Sequence, residues 1–194
     1  MNDLIVVPTC FPEVFILHPK TYCDHRGFFR ETYNATKLVQ HGFRAPTFVQ
    51  DNHSRSTQDV LRGLHYQIRF PQVKLVSVIR GTIYDVVVDI RPDSPNFGIC
   101  AGFTLSEINQ LSLYVPGGFA HGFLVQSEWA DISYKCSDYY HPGDDGGILW
   151  SDPDLKIPWG IGNPILSPKD AVYPCLKDIS NDKLPKIHHA IGIF

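Results

Sequence analysis

His65 sits in the run Arg62-Gly-Leu-His-Tyr-Gln67, close to a second polar string, Gln50-Asp-Asn-His53. An imidazole titrates near neutral pH, so it can move a proton, ligate a metal or sit hydrogen-bonded in a core. For an isolated strand histidine the core role is the better expectation. A metal centre needs three or four convergent donors at ligand spacing. The five cysteines (Cys10, Cys23, Cys100, Cys136 and Cys175) are scattered and show no such spacing. Lys74, Asp85 and Asp89 are the other conspicuous groups, because they interrupt apolar runs: Lys74-Leu-Val-Ser-Val-Ile79 and Thr82-Ile-Tyr-Asp-Val-Val-Val-Asp-Ile90.

Those runs read as strands, and Arg80-Gly81 between them reads as a two-residue hairpin turn. The register would set Ile79 against Thr82, Val76 against Asp85 and Lys74 against Val87. Lys74, Val76, Asp85, Val87 and Asp89 then share one face, with Lys74 diagonal to Asp85. The opposite face, Leu75, Tyr84, Val86, Val88 and Ile90, reads as core. Alternation alone favours a solvated outer face for the charged set. The competing reading is a polar barrel interior that holds a ligand. Further strands are expected at Leu111–Val115, Gly122–Val125 and Ala130–Lys135, and one helix from an Asn34 cap to Gly42. With 15 Gly, 15 Pro, 12 Phe and 9 Tyr, the chain promises many turns between aromatic-rich strands. An antiparallel sandwich or barrel follows, with an irregular C-terminal third wrapped around it.

At 194 residues the expectation is one domain spanning 1–194. A composition of 43% hydrophobic and 19% charged residues is globular. The net charge of −3 asks for neither nucleic acid nor an anionic membrane. An odd number of scattered cysteines suits reduced thiols in the cytoplasm. The start, Met-Asn-Asp-Leu-Ile, has no signal-peptide pattern, and no apolar run reaches membrane-spanning length.

Pro116-Gly-Gly-Phe-Ala-His121 has the form P-x-G-x-x-H, which resembles the second motif of the cupin barrels. The resemblance implies a mainly β, cupin-like antiparallel jelly-roll barrel with short helices. Metal-binding cupins add an H-x-H pair. Here that region offers only His65 before Tyr66-Gln67, and Val125 replaces the motif's later Asn. The expectation is a barrel without a metal or other cofactor.

Longer strings point further. Asp24-His-Arg-Gly-Phe-Phe-Arg-Glu31, Phe48–Ser54, Val60–Gln67, Lys74-Leu-Val76, Asp85–Arg91, Pro116–Phe123, Tyr134-Lys135, Ile148-Leu-Trp150 and Leu166-Ser-Pro-Lys-Asp170 occur in order. Together they resemble the dTDP-4-dehydrorhamnose 3,5-epimerase family over roughly residues 4–176. The resemblance implies proton removal and return beside the 4-keto group of a nucleotide-linked 6-deoxyhexose. That chemistry needs a base, an acid across the ring and a group to hold the enolate oxygen.

By this resemblance His65 is the base and Asp170 the carboxylate behind it. Tyr134 is the acid on the opposite face, Lys74 stabilises the enolate, and Asp85 holds the lysine. Arg26 and Arg62 match diphosphate contacts, where a guanidinium forks onto phosphate oxygens. Glu31, Gln50 and Asn52 match polar nucleotide contacts, His121 a sugar contact, and Tyr140 and Phe28 stacking partners of the pyrimidine. Ordinary alternatives stand beside these roles. Ser167-Pro168-Lys-Asp170 reads as a helix cap, and Tyr134 as a packed strand aromatic.

The family also implies a homodimer that exchanges N-terminal strand residues. Alternatives are a C3-only epimerase, an epimerase of a GDP- or heptose-linked 4-keto sugar, and a non-catalytic sugar-nucleotide-binding cupin. The chain departs from the family pattern at Ser77, where many members carry Arg, at Cys100–Phe103 and at Leu111–Leu113. Its tail after Lys177 is longer than usual.

Overall fold

The computed structural model describes residues 3–43 and 47–185; the tail's closing segment, His188–Phe194, lies outside the described residues. Short alternating runs become strands: β1 (Leu4–Pro8), β2 (Phe15–Pro19), β3 (Thr21–Asp24), β4 (Gly27–Arg30), β5 (Gln50–Thr57), β6 (Leu61–Gln67) and β7 (Lys74–Arg80). The second half adds β8 (Thr82–Asp89), β9 (Cys100–Ser106), β10 (Ser112–Val115), β11 (Phe119–Val125), β12 (Trp129–Cys136) and β13 (Asp145–Gly147). A six-stranded sheet in the order β1-β2-β10-β7-β12-β5 faces a five-stranded sheet in the order β13-β6-β11-β8-β9. All the strand pairs are antiparallel, and β3–β4 forms a separate two-stranded hairpin. The layout is a jelly roll.

The expected β7–β8 hairpin does not form. The chain turns a corner at Arg80-Gly81 and the two strands enter opposite sheets. Gly81 makes the corner possible: its φ is +85°, and a Cβ there would lie 2.2 Å from the Trp129 carbonyl oxygen. The face assignment survives the lost pairing. Val76 and Val78 of β7 meet Ile83 and Val87 of β8 across the gap between the sheets. Burying each such side chain contributes about 1.5–3 kcal/mol. Asp85 and Asp89 point inward with them and are fully buried. The charged set therefore lines the interior rather than a solvated outer face.

The outer faces are covered too. Val86, Val88 and Ile90 pack under Leu155, Trp159, Leu176 and Leu184, so the C-terminal third wraps the five-stranded sheet. On the other side Leu17, Leu75 and Tyr114 meet Leu38 and Phe43. Leu38 comes from α1 (Ala35–Gln40), whose Asn34 cap accepts the Lys37 amide as expected. Among the described residues no helix is long and apolar enough to cross a membrane.

Candidate active site

β6 and β11 approach unusually closely. A Cβ on Gly63 would lie 2.6 Å from the Gly122 Cα, and one on Gly122 would lie 2.7 Å from the Arg62 carbonyl oxygen. Gly63 also has φ +117°, a region that side chains other than hydrogen avoid. The ladder shifts register between His121 and Phe123, leaving His121 directly opposite His65. The two imidazoles thus stand side by side at the end of the sheet, lining one cavity of about 350 Å³.

Each histidine is backed by a carboxylate. His65 Nε2 lies 2.6 Å from Asp170 Oδ1, a residue 105 positions away. His121 Nε2 lies 2.9 and 3.0 Å from the two oxygens of Asp85. Burial pushes the Asp170 carboxyl up, but hydrogen bonds from His65, Ser167 and the Gly63 amide bring it below its ordinary value. An ionised carboxylate only accepts, so His65 must donate its Nε2 proton. That leaves the Nδ1 lone pair as the basic atom. The Asp170 amide does donate to Ser167 Oγ at 3.1 Å, but the expected cap is displaced: Lys169, not Ser167, stands before the first helical residue, which is Asp170 itself. The helix it begins is a single short turn, Asp170–Val172.

The opposite wall comes from the six-stranded sheet. Tyr134 on β12 sits between Val76 and Asn52 of the flanking strands and lines the cavity facing the histidine wall. Burial raises its pKa, Cys136 adds to the rise and the Arg62 cation opposes it, so the phenol stays protonated at neutral pH. Lys74, at the start of β7, reaches the same cavity. Desolvation lowers its pKa, while Cys136 and Asp85 pull it back up. Among the described residues its ammonium makes no hydrogen bond or ion pair. Asp85 is close enough to act on it electrostatically, but its hydrogen bonds go to His121. The expected Lys74–Asp85 pair is therefore replaced by an Asp85–His121 pair.

Gln50, Asn52, His121 and Tyr140 also line this cavity. Gln50 Nε2 donates to Asn52 Oδ1 at 2.9 Å, and Asn52 donates to Cys136 Sγ at 3.6 Å. A second lobe of about 420 Å³ shares His65, Tyr140 and Asp145 with the first and adds Arg62, Lys169 and Asp170. Arg62 Nε donates to Ser56 Oγ at 3.0 Å. The two lobes form one groove with His65 at its waist, and in the second lobe Lys169 pairs with Asp145.

Three expected residues lie elsewhere. Arg26 pairs with Asp24 on the β3–β4 hairpin at 2.5 Å. Phe28, on the same hairpin, is 64% exposed. Glu31 bonds Lys37 at 2.7 Å. None of the three lines either lobe. Conversely, Cys136, Asp145, Lys169 and Tyr173 belong to the neighbourhood without having been singled out. Only Asp145 carried a local signal, the adjoining Gly146-Gly147, which marks a close approach. Among the described residues no group of three or more His, Cys, Asp or Glu could hold a metal ion.

The sequence profile of the dTDP-4-dehydrorhamnose 3,5-epimerase family matches residues 8–178. The dTDP-4-dehydrorhamnose 3,5-epimerase of Salmonella typhimurium is 48% identical over 175 residues, which is 89% of this chain and 96% of that protein. The Escherichia coli enzyme of the same name is 48% identical over 92% of this chain and 98% of its own. The fold superposes at a TM-score of 0.91 on the 3,5-epimerase of Legionella pneumophila, solved with dTDP-4-keto-L-rhamnose. That pair is 47% identical, covering 94% of this chain and 98% of the other.

Proposed function

The chain belongs to the dTDP-4-dehydrorhamnose 3,5-epimerase family, and from that membership we propose how its groove works. The protein is an isomerase of the epimerase type. It converts dTDP-4-dehydro-6-deoxy-D-glucose to dTDP-4-dehydro-L-rhamnose. The observation that carries the mechanism is the placement of His65 and Tyr134 on opposite sheets with the cavity between them. An epimerase needs a base and an acid on opposite faces of one ring, and a sandwich that opens at its end supplies that arrangement.

His65 Nδ1 takes the proton from the carbon beside the C4 ketone. The positive charge that forms on the imidazole is stabilised by Asp170. The electron pair moves into an enolate whose oxygen is held by the Lys74 ammonium, with His121 beside it. Tyr134 delivers a proton from the other face, inverting the carbon; the phenolate then recovers a proton from solvent and the imidazolium releases its own to solvent, which resets both groups. The same cycle at the second carbon completes the reaction. No electron is gained or lost by the sugar overall, so the chemistry consumes no oxidant or reductant. Arg62 and Lys169 in the second lobe suit the diphosphate, and Tyr140 at the rim suits the pyrimidine.

Arg26, Phe28 and Glu31 act in this reading through a homodimer, in which the β3–β4 hairpin of one protomer reaches the groove of its partner. The hairpin's exposed Tyr22, Phe28 and Phe29 support this. At substrate well below KM, mixing Arg26→Ala protomers with His65→Ala protomers should restore activity above either variant alone. Such hybrids form one site with both residues only if the hairpin crosses; no recovery refutes the exchange.

The chemistry is tested by incubating the dTDP-sugar in D₂O and following label by NMR. Deuterium should enter at both C3 and C5. Label at one carbon points to a C3-only enzyme, and label at neither removes the mechanism. Tyr134→Phe should keep wash-out of the abstracted proton while net epimerisation falls about 10²-fold, the share of one general acid. Equal loss of both would deny Tyr134 its role.

A further inference from the structure

We propose that Tyr173 is a positioning residue: its ring holds the His65 imidazole at the angle at which Nδ1 faces the sugar lobe. The inference rests on His65 being the base, as proposed above. Tyr173 is three residues past Asp170, immediately after the short turn that carries the carboxylate. Its ring meets the imidazole edge to face, with centroids 5.9 Å apart and planes at 71°. Segment 167–173 therefore grips His65 at two points, a hydrogen bond at Nε2 and an aromatic contact along the flank.

The packing around the ring shows that a place is reserved for it. β13 pairs with β6 so that Gly147 stands directly opposite His65. Cross-strand partners project their side chains to the same side of a sheet. A Cβ on Gly147 would fall 2.3 Å from Tyr173 ring carbons, so the phenol ring occupies the volume of the missing cross-strand neighbour. Lys169 Nζ lies 5.9 Å over the same ring.

The contact is made by the ring and not by the hydroxyl. Among the described residues the buried Tyr173 hydroxyl has no hydrogen-bond partner. Burial raises its pKa well above the ordinary value, with Asp170, Tyr140 and Tyr66 adding to the rise, so it is neither acid nor base at neutral pH. A single hydrogen bond to Asp170 leaves the imidazole free to swing about the Nε2···Oδ1 line. An aromatic wall at its flank removes that freedom. Misplacing a reacting atom by about 1 Å can cost about 10²-fold in rate.

The test is a steady-state comparison of Tyr173→Leu, Tyr173→Phe, Gly147→Ala and His65→Ala in the full chain, with circular dichroism to report folding. Tyr173→Leu should lower kcat by about tenfold or more with KM nearly unchanged, because the substrate's own contacts remain. Tyr173→Phe should restore kcat to within about twofold of the parent, since the ring is retained. Gly147→Ala, which builds a methyl into the ring's place, should reproduce the Leu loss. It serves as the second probe if Tyr173→Leu does not fold. A Tyr173→Leu enzyme with parental kcat overturns the proposal. So does a folded Tyr173→Phe enzyme as slow as the Leu variant, which would assign the effect to the hydroxyl. If His65→Ala stays active, the base assignment fails instead, and that outcome is read independently of the Tyr173 variants.

Discussion

The β6–β11 rib and the β3–β4 hairpin are built from similar materials, short strands with a positive-φ glycine, an arginine and aromatic residues, yet they use them in opposite ways. On the rib, His65 and His121 find carboxylates from remote parts of the chain, Asp170 and Asp85, both buried. On the hairpin, Arg26 takes the carboxylate two residues away, with both groups in solvent. An exposed local pair of that kind contributes little stability and is readily exchanged for another anion. The rib's pairs are enclosed and directional; they hold rings in place before any substrate arrives. The difference separates a preorganised wall of the groove from a surface hairpin whose charges satisfy each other locally.

The sharpest way to break this contrast is His65→Ala. Exchange at both sugar carbons should fall by about 10²–10⁴-fold, the range of a general base. A loss near that seen for any hairpin residue would erase the distinction. Lys74→Met comes next, with kcat down about 10²–10³-fold, as for an oxyanion donor.

The lysine also sets a pH limit. Its folded pKa lies below the free value, so the charged form is lost, and with it activity, at a lower pH than ordinary lysine would dictate. Lys74→Arg, whose guanidinium does not titrate in that range, should push the alkaline limb of kcat/KM upward while lowering the plateau. An unmoved limb would mean another group sets it.

Stability tests the same comparison from the backbone side. Gly63 and Gly27 both have positive φ, +117° and +122°, but only Gly63 faces neighbours; nothing lies within 4 Å of a Cβ on Gly27. Both Ala variants bear the torsional strain. Gly63→Ala should cost about 1–3 kcal/mol more in chemical denaturation, because the rib must also part. The smallest effect belongs to Arg26→Ala: KM up about tenfold with kcat held, the value of one charge-assisted hydrogen bond to substrate. An unchanged KM would leave the hairpin outside the site.

Much of this was readable along the chain because its causes are local. The Asn34 cap, the face shared by Val76, Asp85 and Val87, and the Ser167 turn before Asp170 depend on neighbouring residues or on a period of two. The β7–β8 pairing failed because alternation reports which side chains share a face, and that is the same whether two strands lie side by side or face each other across a core. Gly81 carried both meanings as well: a hairpin turn and a sheet corner each accept a positive φ.

Alternation favours a solvated face for Asp85 and the family resemblance sets it beside Lys74; in the fold it is buried, acts on Lys74 only electrostatically and gives its hydrogen bonds to His121. Its choice between Lys74 and His121 depends on the β8–β11 register, which aligns Asp85 with Phe123 and sets His121 opposite Val87. Tyr173 had no signal at all, since nothing in its own neighbourhood in sequence says that Gly147 leaves a space beside His65.

Residue chemistry and local order thus settle what the groove can be made of: an imidazole, an ammonium, a phenol and carboxylates on strands with one polar face. The pairing of strands decides how those groups are used. It brings Asp170 across 105 residues to His65, sets Tyr134 on the far wall and turns Lys74 into the same cavity. Such contacts close long loops, and their energies come from burial and geometry that exist only once both sheets are in place.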